Sequence, residues 1–202
     1  KFRIYFLPGI EFFFKGKKTL DVGCGQGAFI SVACELGWDV LGIEISDEAV
    51  ELCKKFKLPV EKRDFFSTEL KSENFDVITM HEVIEHVCEP GRFVQRAEEL
   101  LRKGGLLYIS TPNFNSLDRR LLGSLWRGIS NDHLLYFTPI TLSRLLRANS
   151  NFKLEHLETR SVSGVALKSL LFLKSEAKSN SNAGEVQLCC DQELRETLER
   201  SL

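Results

Sequence analysis

The first clear pattern in the chain is Lys18–Val22, a short apolar run that stops at a cluster of glycines. Ala28–Leu36 follows with helical composition, and Asp39–Ile43 is a second short apolar run, bounded by Gly37 and closed by Glu44. Ser46 or Asp47 then caps a predicted helix to about Phe56. Its first turns hold Glu48 and Glu51, where the helix dipole favours negative charge. Pro59–Lys62 and Phe75–Met80 are the third and fourth strand candidates. Phe93–Leu101 predicts a helix stopped by Gly104–Gly105, and Leu106–Ser110 a fifth strand. Short apolar strands alternating with helices call for a parallel sheet covered on both faces, a doubly wound α/β arrangement.

After Pro112 the pattern changes. Asn113–Asp132, with Gly123, Trp126 and Gly128, has no clean period and is too long for an ordinary connection. Long insertions after strand ends often form lids or substrate walls. Thr138 with Pro139 opens a predicted helix to about Ala148, and Phe152–Thr159 alternates as a strand does. Gly164–Lys174 fits a last strand or a helix. Lys178–Gly184 is Ser/Asn-rich and linker-like, and Glu185–Leu202 has the composition of a short charged helix. The expected organisation is one domain over residues 1–174, then a polar linker and short C-terminal helix over 175–202.

Composition narrows the setting. The 202 residues suffice for one sizeable domain, and a formal net charge of −1 gives no global field towards nucleic acid or anionic lipid. The longest apolar runs, such as Leu170–Leu173, are too short to span a bilayer. Lys1–Phe14 is interrupted by Pro8, Gly9 and Glu11 and does not read as a signal peptide. The six cysteines form no C-x-x-C pair, and a reduced, cytoplasmic setting is the economical expectation.

Candidate chemistry begins at Leu20-Asp21-Val22-Gly23-Cys24-Gly25-Gln26-Gly27-Ala28, which follows a strand and opens a helix. Glycines there permit a tight bend and a close ligand approach. Gly23, Gly25 and Ala28 also satisfy the dinucleotide fingerprint, with Glu44 at the distance of a ribose acid. Asp21 weighs against a pyrophosphate, which an unpaired carboxylate in a poorly solvated place would repel. Beside the ammonium and sulfonium of S-adenosylmethionine the same charge is favourable. Glu44, at the end of the second strand, suits ribose hydroxyls under either reading.

These segments resemble the motifs of the class I S-adenosylmethionine-dependent methyltransferases. Leu20–Gly27 is similar to their first motif, Glu44 to the second, and Arg63-Asp64-Phe65 to the adenine-side motif. Phe75–Val87, read F-D-V-I-T-M-H-E-V-I-E-H-V, is similar to the fourth-strand motif of the subgroup that includes ubiquinone-pathway O-methyltransferases. The resemblance covers roughly Lys17 to Thr159 and implies a Rossmann-like, mostly parallel sheet of about seven strands. It implies that Asp21, Gly23, Cys24, Gly25 and Gly27 hold the methionine part and that Glu44, with Ile45, holds the ribose. Asp64 and Phe65 would face the adenine, and Met80 and His81 would border the reaction centre. In this family helices often precede the first strand, whereas about sixteen residues do so here. The acceptor site is therefore expected to be open, or completed by another chain as in a homo-oligomer.

His81-Glu82-Val83-Ile84-Glu85-His86 invites a metal reading, but its histidines are five apart, about 140° around a helix, where they cannot share an ion. No metal is expected, although Glu82 and Glu85 leave room for a loose hard-cation site. His81 is a candidate base for an acceptor hydroxyl, and His86 a capping or supporting residue. Asn131–Pro139 offers His133 as the alternative base or as a lid residue. Trp126, Tyr136 and Phe114 could wall an acceptor pocket, or simply pack.

The function expected is transfer of a methyl group from S-adenosylmethionine (EC 2.1.1.-) to a small-molecule acceptor, an oxygen by resemblance alone. Two other readings stand: an NAD-dependent oxidoreductase, and a catalytically silent cofactor-binding module. Aligning the nucleophile with an already activated sulfonium supplies most of such a reaction. Sequence therefore speaks more clearly about the cofactor than about the acceptor.

Overall fold

β1 (Lys18–Val22), β2 (Asp39–Glu44), β3 (Val60–Lys62), β4 (Phe75–His81) and β5 (Leu101–Ser110) form a sheet in the order β3-β2-β1-β4-β5. All four pairings are parallel. The computed structural model describes residues 16–126, 128–157 and 159. They fall within a compact unit assigned to Lys1–Ser161. The expected elements at Gly164–Lys174 and Glu185–Leu202, the 178–184 linker and the aromatic Lys1–Phe14 lie outside the described residues.

Alternation along the strands sorts side chains onto two cores. Leu20, Val22, Ile78 and Met80 pack on one face with Ala97 and Leu100 of α3 (Pro90–Leu100). Val40 and Val77 on the other meet Phe29 and Ile30 of α1 (Ala28–Glu35) and Val50 and Cys53 of α2 (Asp47–Lys55). Asp21 and Thr79 share this second face, opposite each other in register. The chain winds outward from β1 in one direction and, from β4, in the other. This opens a crevice at the carboxyl ends of β1 and β4.

Helix boundaries follow their caps. Ser46 accepts from the Ala49 amide, and acids in the first turn of α2 are balanced by Lys54 and Lys55 in the last. α3 starts three residues earlier than the apolar pattern predicts, because Pro90 fits a first helical turn that lacks intrahelical N–H bonds anyway. α5 (Pro139–Asn149) begins with a capping box between Thr138 and Thr141. A short α4 (Leu117–Leu122) and a 3₁₀ turn (Gly123–Leu125) occupy part of the aperiodic insertion.

Two expectations are corrected. Gly104 and Gly105 do not stop a helix; they lie inside β5, which starts at Leu101, where the ladder with β4 slips between Phe75 and Val77. Gly104 has a φ of 77°, and a Cβ on Gly105 would stand 3.0 Å from the Asp76 carbonyl, so the glycines serve an irregularity in the strand. The seven-stranded sheet is five-stranded among the described residues, and 151–157 form no strand. Phe152 packs on the core there while Leu154 and Leu157 are exposed. Alternation without a ladder partner does not make a strand, and among the described residues nothing pairs with the outer edge of β5.

Candidate donor and acceptor sites

The glycine turn is built by three left-handed residues, Gly23 (φ 65°), Gly25 (φ 52°) and Gly27 (φ 77°). They are not equivalent. A Cβ at Gly23 would strike Val83, 2.8 Å away, and one at Gly27 would strike Leu58 at 2.6 Å, whereas Gly25 has nothing within 4 Å. Two glycines thus serve packing, and the middle one leaves open space where a ligand can approach the backbone. The amides of Gly23 and Cys24 both donate to the Ile43 carbonyl, at 2.9 and 3.1 Å, tying the turn to β2.

Glu44 pins the turn from the other side. Its Oε2 accepts from the Gly25 amide at 2.9 Å, and Oε1 from the amides of Ile45 and Ser46 at 2.7 and 3.0 Å. A carboxylate has about four acceptor directions, so positions remain for ligand hydroxyls. Ile45 beside it is 70% exposed, an apolar surface at the end of β2.

Asp21 lies beneath the turn and is 2% exposed. Thr79 donates to its Oδ1 at 2.6 Å. Burial above all, with Glu44 nearby, pushes the carboxyl up to about 7, against the opposing pull of the Thr79 hydroxyl. Cys24, in the turn itself, is pushed up to about 12 by burial and by the neighbouring Asp21, Cys53 and Glu44, so its thiol is no nucleophile at neutral pH.

The remaining donor-side residues separate. Asp64 is exposed, and its Oδ1 accepts from the Phe66 amide at 2.7 Å. Phe65 is 4% exposed and packs its ring on Phe66 and Phe93; it supports the loop from the core rather than lining the crevice. Arg96 of α3 donates to the carbonyls of Phe65, Ser67 and Leu70 and so fixes this loop, a role no motif announces. Met80 is fully buried in the core.

His81 is corrected from an accessible base to a wall residue. Its ring lies between Phe29 and Tyr108, at 4.9 and 5.2 Å between centroids. Burial holds it down at about 4, and its Nε2 is buried without a hydrogen-bond partner. Its Nδ1 lies 3.4 Å from the Ser110 hydroxyl, and a half-buried imidazole in these surroundings binds a proton less readily than a free one.

Residues 82–87 form turns, not the helix assumed in comparing His81 with His86. Glu82 takes a left-handed φ of 52° as its amide donates to the Ser110 carbonyl, and the chain then turns in. The Glu85 carbonyl accepts from the amides of Leu134 and Leu135, which brings His133 beside His86, with ring centroids 4.7 Å apart. Nδ1 of His86 lies 2.9 Å from the Asp132 carbonyl, and Nδ1 of His133 lies 3.0 Å from that of Gly128. A carbonyl only accepts, so each Nδ1 carries the proton and each Nε2 keeps its lone pair.

Beside these rings lies Glu85, 1% exposed, its carboxyl raised above the ordinary range by burial against the opposing pull of its own backbone and the Thr111 hydroxyl. Ligand atoms of Glu85, His86 and His133 fall within 4.8 Å of one another. This is a candidate divalent-cation site, which the spacing of His81 and His86 does not reveal because its third member, His133, comes from a distant segment. Phe114, Trp126 and Tyr136 adjoin it, Phe114 at 6.3 and 5.1 Å from the other two rings, with Arg119 over Phe114. An open cavity of about 1590 Å³ runs past Glu82, Trp126 and His133 towards the edge of β5.

A family model of a methyltransferase domain matches residues 3–157, and the chain belongs to that family. Among its relatives, the ubiquinone biosynthesis O-methyltransferase of Haemophilus ducreyi is 35% identical over 135 residues, 61% of this chain and 55% of that protein. The protein of the same name from Pelagibacter ubique is 32% identical over 131 residues, 62% of this chain and 52% of that one. The chain thus spans about half the length of the curated relatives it matches. A SAM dependent methyltransferase structure from Archaeoglobus fulgidus has a TM-score of 0.59 at 20% identity, covering 83% of this chain and 81% of that chain. One from Mesorhizobium loti has a TM-score of 0.57 at 21% identity, covering 80% and 86%. These structures share the Rossmann-like fold. Among the described residues no helix is long and apolar enough to cross a membrane.

Proposed function

We propose that this chain transfers a methyl group from S-adenosylmethionine to a hydroxyl of a small-molecule acceptor, and that the acceptor side holds a divalent cation. The observation that carries the donor half is the buried Asp21 under an open glycine turn, pushed up to about 7 where no cation among the described residues offsets it. A cationic ligand would relieve that cost, whereas a pyrophosphate would add to it. S-adenosylmethionine, when bound, supplies an activated methyl group on a sulfonium. Asp21 then neutralises the ligand's ammonium, Gly25 leaves its backbone open to it, and Glu44 accepts from ribose hydroxyls. Asp64, exposed on a loop that Arg96 fixes, is placed to accept from the adenine amine.

On the acceptor side, the fit to a divalent cation rests on the buried Glu85, with its ligand atom and those of His86 and His133 within 4.8 Å of one another, and on two imidazoles oriented by backbone carbonyls. The cation would draw an acceptor hydroxyl towards its ionised form. His133 keeps an unprotonated Nε2 with which to receive the proton or ligate the ion. The names of the O-methyltransferase relatives support an oxygen acceptor.

Calorimetric titration and a methylation assay test both halves. The expected results are binding of S-adenosylhomocysteine but not NADH, and methylation of a phenol or catechol in a small panel, stimulated by Mg²⁺ or Mn²⁺. Binding of NADH alone would overturn the donor assignment. Cofactor binding with no turnover on any acceptor would leave the silent module in its place.

A further inference from the structure

Asp21 is buried opposite Thr79 in the β1–β4 register, and the two lie on the sheet face covered by α1 and α2. The Thr79 hydroxyl also approaches the Leu20 carbonyl at 3.4 Å, but its 2.6 Å bond to Oδ1 is by far the better one. It is the side chain that donates to this carboxylate among the described residues. Among the described residues no side chain donates to the second oxygen, which is not among the sealed, unpartnered atoms. Thr79 thus fixes the carboxyl plane and leaves one oxygen for a ligand.

We propose that Thr79 is a positioning residue of the donor site, and that through it the binding of a cationic cofactor is coupled to loss of a proton from Asp21. The inference rests on the donor-site assignment above. The surroundings leave no other group to play this part. Glu44 from β2 opposes the charge of Asp21, and burial keeps the thiols of Cys24 and Cys53 protonated. His81, two residues along β4, stays neutral, and α1 packs Phe29 and Ile30 on this face. Without Thr79 the carboxyl would keep its proton to higher pH, because a donor to the charged form is removed while burial remains.

The test measures affinity for two probes between about pH 5 and 6.7, below the range in which an α-amino group titrates. S-adenosylhomocysteine carries the ammonium; 5′-methylthioadenosine shares the adenosine and lacks it. In the wild-type chain, S-adenosylhomocysteine should bind more tightly as pH rises, and 5′-methylthioadenosine should not change. Thr79→Val should weaken S-adenosylhomocysteine about tenfold near pH 6, the effect of a one-unit upward shift in Asp21, and move its profile to higher pH. Thr79→Ser, which keeps the hydroxyl, should restore the wild-type profile. Unchanged 5′-methylthioadenosine affinity certifies that each variant is folded. The proposal fails if Thr79→Val leaves the S-adenosylhomocysteine profile in place, or weakens both probes equally with Thr79→Ser doing the same. A wild-type chain that binds neither probe removes the donor site itself, and this inference with it.

Discussion

The donor side and the acceptor side are built on opposite plans. The donor side is contiguous in sequence, with Asp21, the glycine turn and Glu44 at the ends of adjacent parallel strands. Its hydrogen bonds run mainly from backbone amides to the Glu44 carboxylate and the Ile43 carbonyl. The acceptor side is assembled from turns on two distant segments, joined where the Glu85 carbonyl accepts from Leu134 and Leu135. One is braced by backbone amides around Glu44; the other gathers a buried acid and two imidazoles. Strand ends can fix a site by register alone, while a site made of turns depends on a few long-range bonds and on what fills it.

Substitutions should separate the two sides. The largest effect is expected from Glu85→Gln, which keeps the shape but removes the charge beside the histidines. Turnover should fall by about 100-fold or more and lose its response to divalent cations, with S-adenosylhomocysteine affinity within about twofold of wild type. A parallel loss of donor affinity would show that the sites are not independent. Asp21→Asn should do the converse, weakening S-adenosylhomocysteine by roughly 10- to 100-fold, the range of a lost charge-assisted bond, while Mn²⁺ affinity, read by paramagnetic relaxation, is retained. Arg96→Met should cost less. It leaves three loop carbonyls unpaired, so stability should fall by about 1–3 kcal/mol in urea and adenosine affinity only a few-fold.

The smallest effect is on the pH dependence of stability, where two donor-side groups oppose each other. His81 is held down at about 4, so unfolded chains bind its proton first and stability is lost as pH falls from 6.5 towards 4. Asp21 is pushed up to about 7, so the folded chain holds its proton and stability is lost as pH rises from 3.8 towards 7. The wild-type contribution of the pair should therefore be nearly flat. Asp21→Asn should reveal a rise in stability with pH over this window, and His81→Phe a fall, each at most roughly 1.4 kcal/mol per pH unit in denaturant titrations.

The contrast also explains what the sequence disclosed. Hydrophobic period and glycine chemistry are local, so β1 to β5 and the turn at Gly23–Gly27 were legible, as was the Ser46 cap. The span 101–105 was misjudged because glycines that bulge a strand look like glycines that end a helix. Phe65 was placed on the adenine side although its ring belongs to the core, since a motif names a residue without saying which way it points. Glu85 reads in sequence only as a partner of Glu82 in a loose cation site, because a buried acid and a solvated one are written with the same letter. Its burial depends on contacts with residues 134 and 135, which no local pattern encodes. Among the described residues the sheet has five strands, and 151–157 adds none because its alternation has no partner strand there.

Glu44 accepts from Gly25, Ile45 and Ser46, bonds made entirely within the protein. The conformational entropy of the turn is therefore surrendered during folding rather than at the encounter. Donor association should accordingly proceed in a single kinetic phase without a slow ordering step, and its heat capacity change should reflect the ligand surface covered and not a loop folding over it.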